Sequence, residues 1–349
     1  MTITALDANG ARVTTTFNWT VTNPALTARN DALTTGENAT ASGSVFANNG
    51  AGVDVDPDGD AFTVVAVTTG GTVNLPGDSV SGTNGGQFVI NANGTFTFDP
   101  GTDFDSLPLG SSATTTVTYT IRDANGSEST ATVTVTVNGA NDGPAAVGTL
   151  PNLVNDDGDL VDVDVSGSFA DPDGATVFTY ALIGTAGVNY PAGLSILNGH
   201  IVGTIDRDAS QNGPYRVTVQ ADDGAGSVIT QTFTWVVDNP APVAIDDTGA
   251  TSENSAIVGA DLTPATVGQD SDPDGDLLTV TEVNGIGFTG STAVVGSGGG
   301  TFTINANGTY DFAPGTAFET LAQGVTKTTG VTYTISDGNG GTDTATVTV

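Results

Sequence analysis

The chain has 349 residues, with 39 acidic against 6 basic side chains and a net charge of −33, a surface that repels nucleic acid and anionic membranes. It has no cysteine and one histidine, which excludes disulfides, thiolate metal sites and histidine-based metal centres and leaves little room for a Ser-His-Asp triad. With 37% hydrophobic and only 13% charged residues, it is not a disordered acidic tail, and no apolar run approaches the ~18 residues of a membrane span.

Residues 1–23 return further along the chain. Ala5 to Gly10 and Phe17 to Pro24 match Ala221 to Gly226 and Phe233 to Pro240, so that Trp19 returns as Trp235. Asp56-Pro57-Asp58-Gly59-Asp60 returns at the same offset as Asp272-Pro273-Asp274-Gly275-Asp276. Ile90-Asn91-Ala92-Asn93-Gly94-Thr95-Phe96 returns as Ile304-Asn305-Ala306-Asn307-Gly308-Thr309-Tyr310, two residues closer. A period this long denotes an array of whole domains rather than a solenoid. The pattern divides the chain into the last strands of one domain (1–23) and three domains at 24–139, 140–239 and 240–349. No signal peptide is visible, so an export address is expected outside this stretch.

Within each domain the signal is β. Val117, Tyr119 and Ile121 alternate with threonines, as do Ala131, Val133, Val135 and Val137; period-two alternation is a half-buried strand. Asn-Gly turns punctuate such runs at Asn93-Gly94, Asn125-Gly126, Asn198-Gly199 and Asn339-Gly340, the strongest short-range hairpin signal. Many short strands with almost no helix predict an all-β chain of Ig- or cadherin-like sandwiches placed end to end. Trp19 and Trp235, at equivalent strand positions, are expected in cores, and His200 in a hairpin turn.

The carboxylates gather in turns. Asp54, Asp56, Asp58 and Asp60 alternate around Pro57 and Gly59; Asp270, Asp272, Asp274 and Asp276 do so around Pro273 and Gly275; Asp171 and Asp173 flank Pro172. Calcium takes six to eight oxygen ligands, and a sharp turn lets several converge. The plain alternative is a solvated Asp-rich turn, since Pro-Asp-Gly is ordinary turn chemistry. Three such loops in three disulfide-free domains at this net charge favour calcium. Paired carboxylates can also hydrolyse glycosides, but these lie in repeated turns with no distinctive pocket sequence.

Ala28-Arg29-Asn30-Asp31 to Glu37, Asp56-Pro57-Asp58-Gly59-Asp60, Asn93 to Phe98, Tyr119 to Asp123, Ala131 to Val135 and Asn141-Asp142-Gly143-Pro144 resemble VCBS-type bacterial cadherin-like repeats. Residues 140–239 resemble the Putative-Ig, dystroglycan-type cadherin-like family through Tyr190 to Ser195, Gly199 to Thr204 and Val217 to Gly224. The resemblance implies calcium-stiffened extender repeats of a bacterial surface or secreted adhesin, non-enzymatic and extracellular. It implies that Asn141 and Asp142 bridge neighbouring domains through Ca2+, and it puts Glu37, Asp123, Glu253 and Asp337 where a junction ion could recruit them. Asp171, Asp173, Asp222 and Asp223 would serve in the middle domain. The implied partners are neighbouring repeats. Other open readings are a multivalent module for host or biofilm glycans or proteins, and a matrix filament or surface layer that self-associates through the strands of residues 1–23.

Overall fold

Threonine and β-branched residues cover the strands because their branched side chains pack on a pleated surface. The computed structural model describes residues 1–174, 177–263 and 269–349. It is 47% strand, and three short 3-10 turns are the helical elements among the described residues. Backbone contacts divide it into two units, Met1–Asp142 with Asp171–Gly174, and Gly143–Ala170 with Ala175–Val349.

The first unit holds one sandwich. Its five-stranded sheet runs Asp31–Gly36, Glu128–Asn138, Ser112–Asp123, Phe62–Thr69, Thr72–Asn74. The facing sheet runs Ala41–Ser44, Thr95–Asp99, Gln87–Ile90, Ser79–Ser81. Val117, Tyr119 and Ile121 point inward with Val133, Val135, Phe88 and Phe98, as the alternation predicts. The strand Asp31–Gly36 pairs in parallel with Glu128–Asn138, from Asp31 opposite Val133 to Gly36 opposite Asn138. The Asn93-Gly94 turn closes a hairpin with Gly94 at φ +81°, and a Cβ there would lie 2.5 Å from the Phe46 ring. Only glycine satisfies both demands.

Residues 1–23 form a separate hairpin in this unit. Thr2–Leu6 pairs with Arg12–Thr16 in the register Thr2 opposite Thr16, and every residue of both strands is exposed. The expectation of a core tryptophan fails here, because Trp19 is 73% exposed. The reason is the missing cover. The counterpart hairpin, with Thr218 opposite Thr232, lies against a second sheet that buries Trp235 completely.

The second unit holds two cores. Around Trp235, the sheet Leu153–Asp156, Val228–Asp238, Tyr215–Asp222, Thr179–Ile183 accompanies the sheet Leu160–Asp164, His200–Thr204, Leu194–Leu197. Around Phe302, Phe312 and Tyr333, the strand order of the first sandwich returns, from Asp247–Thr248 and Thr342–Thr348 inward to Gly330–Ser336 and Thr279–Val283. With no cysteine to cross-link them, these domains depend on such cores, where each fully buried large apolar side chain contributes about 1.5–3 kcal/mol.

Candidate metal centres

Glu37 follows the strand Asp31–Gly36, and its N–H donates to the Asn138 carbonyl at 2.9 Å. That bond turns the side chain inward, leaving Glu37 1% exposed. Its Oε1 accepts the Ala140 N–H at 2.6 Å, whereas its Oε2 is buried and has no hydrogen-bond partner. Asp142 and Asp173 bring one oxygen each to within 4.8 Å of the Glu37 carboxylate and of one another. The loop of Asp173 is held by its own chemistry: Asp171 Oδ1 accepts the Asp173 N–H at 2.8 Å, and Gly174 turns at φ +75°. Asp173 Oδ2 accepts the Asp142 N–H at 2.8 Å, and its Oδ1 is buried without a partner. Burial raises the Glu37 pKa, and the carboxylates of Asp142, Asp173 and Asp105 raise it further against the Ala140 bond.

The two Asp-Pro-Asp-Gly-Asp loops build a second arrangement, twice. In the first sandwich Asn23 Nδ2 donates to Asp123 Oδ2 at 2.8 Å, and Asn125 Nδ2 bonds Asp60 Oδ2. Asp123 Oδ1 accepts the N–H groups of Asn125 and Ser127, and Asp56 Oδ2 is left buried and unpartnered. The Asn23 bond, aided by these N–H groups, lowers the Asp123 pKa. The third domain repeats the pattern. Asn239 Nδ2 donates to Asp337 Oδ2 at 2.8 Å, and Asn339 Nδ2 bonds Asp276 Oδ2. Here Asn239 Oδ1, Asp272 Oδ2 and Asp274 Oδ2 are buried and unpartnered, and burial, with the Asp272 carboxyl alongside, pushes Asp274 up to about 7.

Asp157 of the middle domain stands where Glu37 stands in the first. Its N–H donates to the Asp238 carbonyl at 2.9 Å, it is 3% exposed, and its Oδ2 has no partner. The next residue, Gly158, abuts the third domain's loop: a Cβ on it would lie 3.0 Å from Asp274 Cβ.

Asp54 and Asp270 do not join the loop carboxylates that follow them. Both turn into the sandwich, beneath a tyrosine. Tyr119 Oη lies 3.0 Å from Asp31 Oδ2 and 3.1 Å from Asp54 Oδ2, and Tyr333 Oη lies 2.7 Å from Asp247 Oδ2 and 3.1 Å from Asp270 Oδ2. A hydroxyl has one hydrogen to give, so each tyrosine serves two carboxyls with one donor. Burial pushes Asp31 and Asp247 up to about 6, partly offset by the tyrosine bonds.

Asp222 Oδ1 accepts the Gly224 N–H and Asp223 Oδ1 the Ala225 and Ser227 N–H groups, all within one hairpin turn. Asn141 is half-buried beside Asp142, Asp58 is exposed, and Glu253 is partly exposed in contact with Asn254. Sequence reasoning missed Asn23, Asn125, Asn339, Asp157, Asp31 and Asp247, and gave Asp238-Asn239-Pro240 only as a poorer match to the bridging linker. The asparagines at 125 and 339 had shown themselves only as turn formers, while Asp157 sits in an acidic run, Asn155 to Asp159, with no Pro-Asp-Gly signature.

The family model described as "Bacterial cadherin-like domain" matches residues 22–139 and 239–349. The chain belongs to this bacterial cadherin-like family. Between the two cadherin-like matches, residues 144–238 match the model described as "Putative Ig domain". Solved structures similar to this cadherin-like chain include protocadherin gamma B2 extracellular cadherin domains 1–5, at 14% identity and TM-score 0.43, covering 100% of this chain and 71% of that one. Human CDH23 EC21-23 is similar at 16% identity and TM-score 0.43, covering 93% and 100%. Drosophila N-cadherin EC1-4 is similar at 15% identity and TM-score 0.36, covering 92% and 73%. A comparison with curated proteins finds no match. No helix among the described residues is long and apolar enough to cross a membrane.

Proposed function

We propose that this cadherin-like chain is a calcium-binding spacer from an extracellular bacterial adhesin, in which ions stiffen the links between successive domains. The observation that carries the reading is the Glu37 side chain, 1% exposed, with an unpartnered Oε2 beside Asp142 and Asp173. A buried, unpaired carboxylate is costly unless a cation compensates it. The donor set is carboxylate with amide and carbonyl oxygen nearby, which suits a hard cation such as Ca2+ and offers nothing to a soft one. Glu37, Asp142 and Asp173 would hold one ion. Asp157, Asn239, Asp272 and Asp274 would serve the second junction, and Asp56 with Asp60 and Asp123 the face of the first sandwich that carries Asn23. The tandem cadherin-like matches support an adhesion or spacer role, and none of these residues forms a nucleophile–base pair.

Extracellular calcium modules bind around 10⁻⁴–10⁻³ M, so such sites fill outside a cell and empty inside it. An ion bound to the folded state alone adds about 2.7 kcal/mol per site at 100 times its dissociation constant. The test is calorimetric titration and thermal melting in about 2 mM calcium and in excess chelator. Heat of binding with a rise in melting temperature is expected, and identical melts with no heat would refute the proposal.

The exposed hairpin of residues 1–23 favours a second reading, pairing with another β-sandwich. Ile3, Val13 and Trp19 are exposed where Val219, Ile229 and Trp235 of the counterpart meet a core. Concentration-dependent mass, lost in Trp19→Ala, would support assembly through this hairpin.

A further inference from the structure

The chain carries only six cationic side chains, and one of them is set against an acidic loop. Arg207 lies between the strand His200–Thr204 and the 3-10 turn Ala209–Asn212 of the middle domain. Its Nη1 donates to the Gly275 carbonyl at 3.2 Å, and its Nε lies 3.9 Å from Asp276 Oδ1. The Asp276 side chain is 6% exposed, so this carboxylate has little water to screen it. Two further bonds tie the Arg207 segment to the adjacent turn at Asn339 without any ion: Asn339 Nδ2 donates to Asp208 Oδ1 at 3.3 Å, and Gln211 Nε2 donates to the Asn339 carbonyl at 3.4 Å. The charges bearing on Glu37 are different in kind. Asp142, Asp173 and Asp105 are all negative.

We infer that Arg207 is a resident counter-ion for the 272–276 loop, which keeps the junction between the middle and third domains ordered without calcium. The inference deepens the calcium reading and rests on it for the role of the acidic loops. A guanidinium stays charged at any physiological pH, and its planar fork engages a carbonyl and a carboxylate together. It offsets one charge of the loop permanently, where the Glu37 set has no such partner and depends on a mobile cation. The same charge repels an incoming divalent ion. The Arg207 junction should therefore bind calcium more weakly than the Glu37 set and change less when calcium is withdrawn.

The absence of cysteine makes the test direct. Leu197→Cys and Val295→Cys place two spin labels at exposed positions, one in the middle domain and one in the third. Distance distributions are read on the full chain in excess chelator and in calcium, with and without Arg207→Gln. With Arg207 present, the distribution in chelator should be nearly as narrow as in calcium. Arg207→Gln should broaden it in chelator, and calcium should narrow it again. The same substitution should tighten calcium binding at this junction roughly three- to tenfold, the scale for a unit charge a few ångströms from a divalent ion in a solvated site. Arg207→Lys, which keeps the charge but not the fork, should fall between the two. A chelator distribution unchanged by Arg207→Gln would overturn the role of Arg207. If Arg207→Gln broadens the distribution in chelator and calcium neither binds nor narrows it, the counter-ion role stands and the calcium reading fails instead.

Discussion

Replacing Asp31 by asparagine should stabilise the first sandwich at neutral pH and do nothing in acid. Asp31 is 3% exposed, shares the Tyr119 hydroxyl with Asp54, and has its pKa raised from 3.8 to about 6, chiefly by burial. Between those two values the folded state holds a proton that the unfolded state has released, so stability falls as pH rises from about 4 to about 6 and then levels. The penalty at neutral pH is about 3 kcal/mol, at about 1.4 kcal/mol per pH unit. Asparagine removes the charge and keeps the shape. Its carbonyl can still accept from Asn49 Nδ2, now 3.1 Å from Asp31 Oδ1, and its NH2 supplies the hydrogen that the crowded tyrosine lacks. Scanning calorimetry of the full chain in chelator should show the first domain melting roughly 10 °C higher in Asp31→Asn than in the parent at about pH 7.5. The two should converge below about pH 3, where Asp31 is protonated folded and unfolded alike. Asp247→Asn tests the same reasoning independently in the third domain, where burial also pushes the carboxyl up to about 6. A gain that does not depend on pH, or a loss of stability at pH 7.5, would refute the account of the cluster.

Three further outcomes follow from the geometry. Glu37→Gln should be at least as stable as the parent in chelator, because a buried charge is gone, and should gain less on adding calcium; paired melts and titration calorimetry check the sign of both effects. Trp235→Ala should cost about 3–5 kcal/mol from the middle core, while Trp19→Ala should stay within about 0.5 kcal/mol, a contrast read by denaturant titration. Gly94→Ala combines a φ of +81° with the Phe46 ring 2.5 Å from the new Cβ and should cost about 2 kcal/mol or more. Gly59→Ala, at φ +83° with nothing within 4 Å, should cost only about 1 kcal/mol.

The fold was legible because strand formation here is a local matter. Val117, Tyr119 and Ile121 alternate with threonine, and that alternation is the burial pattern of their strand. The sites were legible only in part. Asp54 and Asp56 share a parity that in an extended chain puts them on one face. The chain leaves the extended form at the turn closed by the Gly59 N–H on the Asp56 carbonyl, so Asp54 enters the core and its neighbours do not. Asp173 and Glu37 lie too far apart in sequence for any spacing rule to join them. The two tryptophans show the same limit from the other side, since similar local sequence yields a core residue only where a second sheet is present to cover it.

The parallel pairing of Asp31–Gly36 with Glu128–Asn138 has a mechanical consequence. The first strand enters at one end of the ladder and the last strand leaves at the other, so tension along the chain pulls the two past each other. Their six residue pairs, from Asp31 opposite Val133 to Gly36 opposite Asn138, are then loaded in shear and must yield together, rather than opening one at a time as in an unzipped hairpin. The middle domain has the same arrangement over four pairs, Leu153 opposite Trp235 to Asp156 opposite Asp238. The third domain has it over only two, Asp247 opposite Val347 and Thr248 opposite Thr348, so by this count it is the first to yield under load, and its unfolding rate sets the force at which the chain first lengthens.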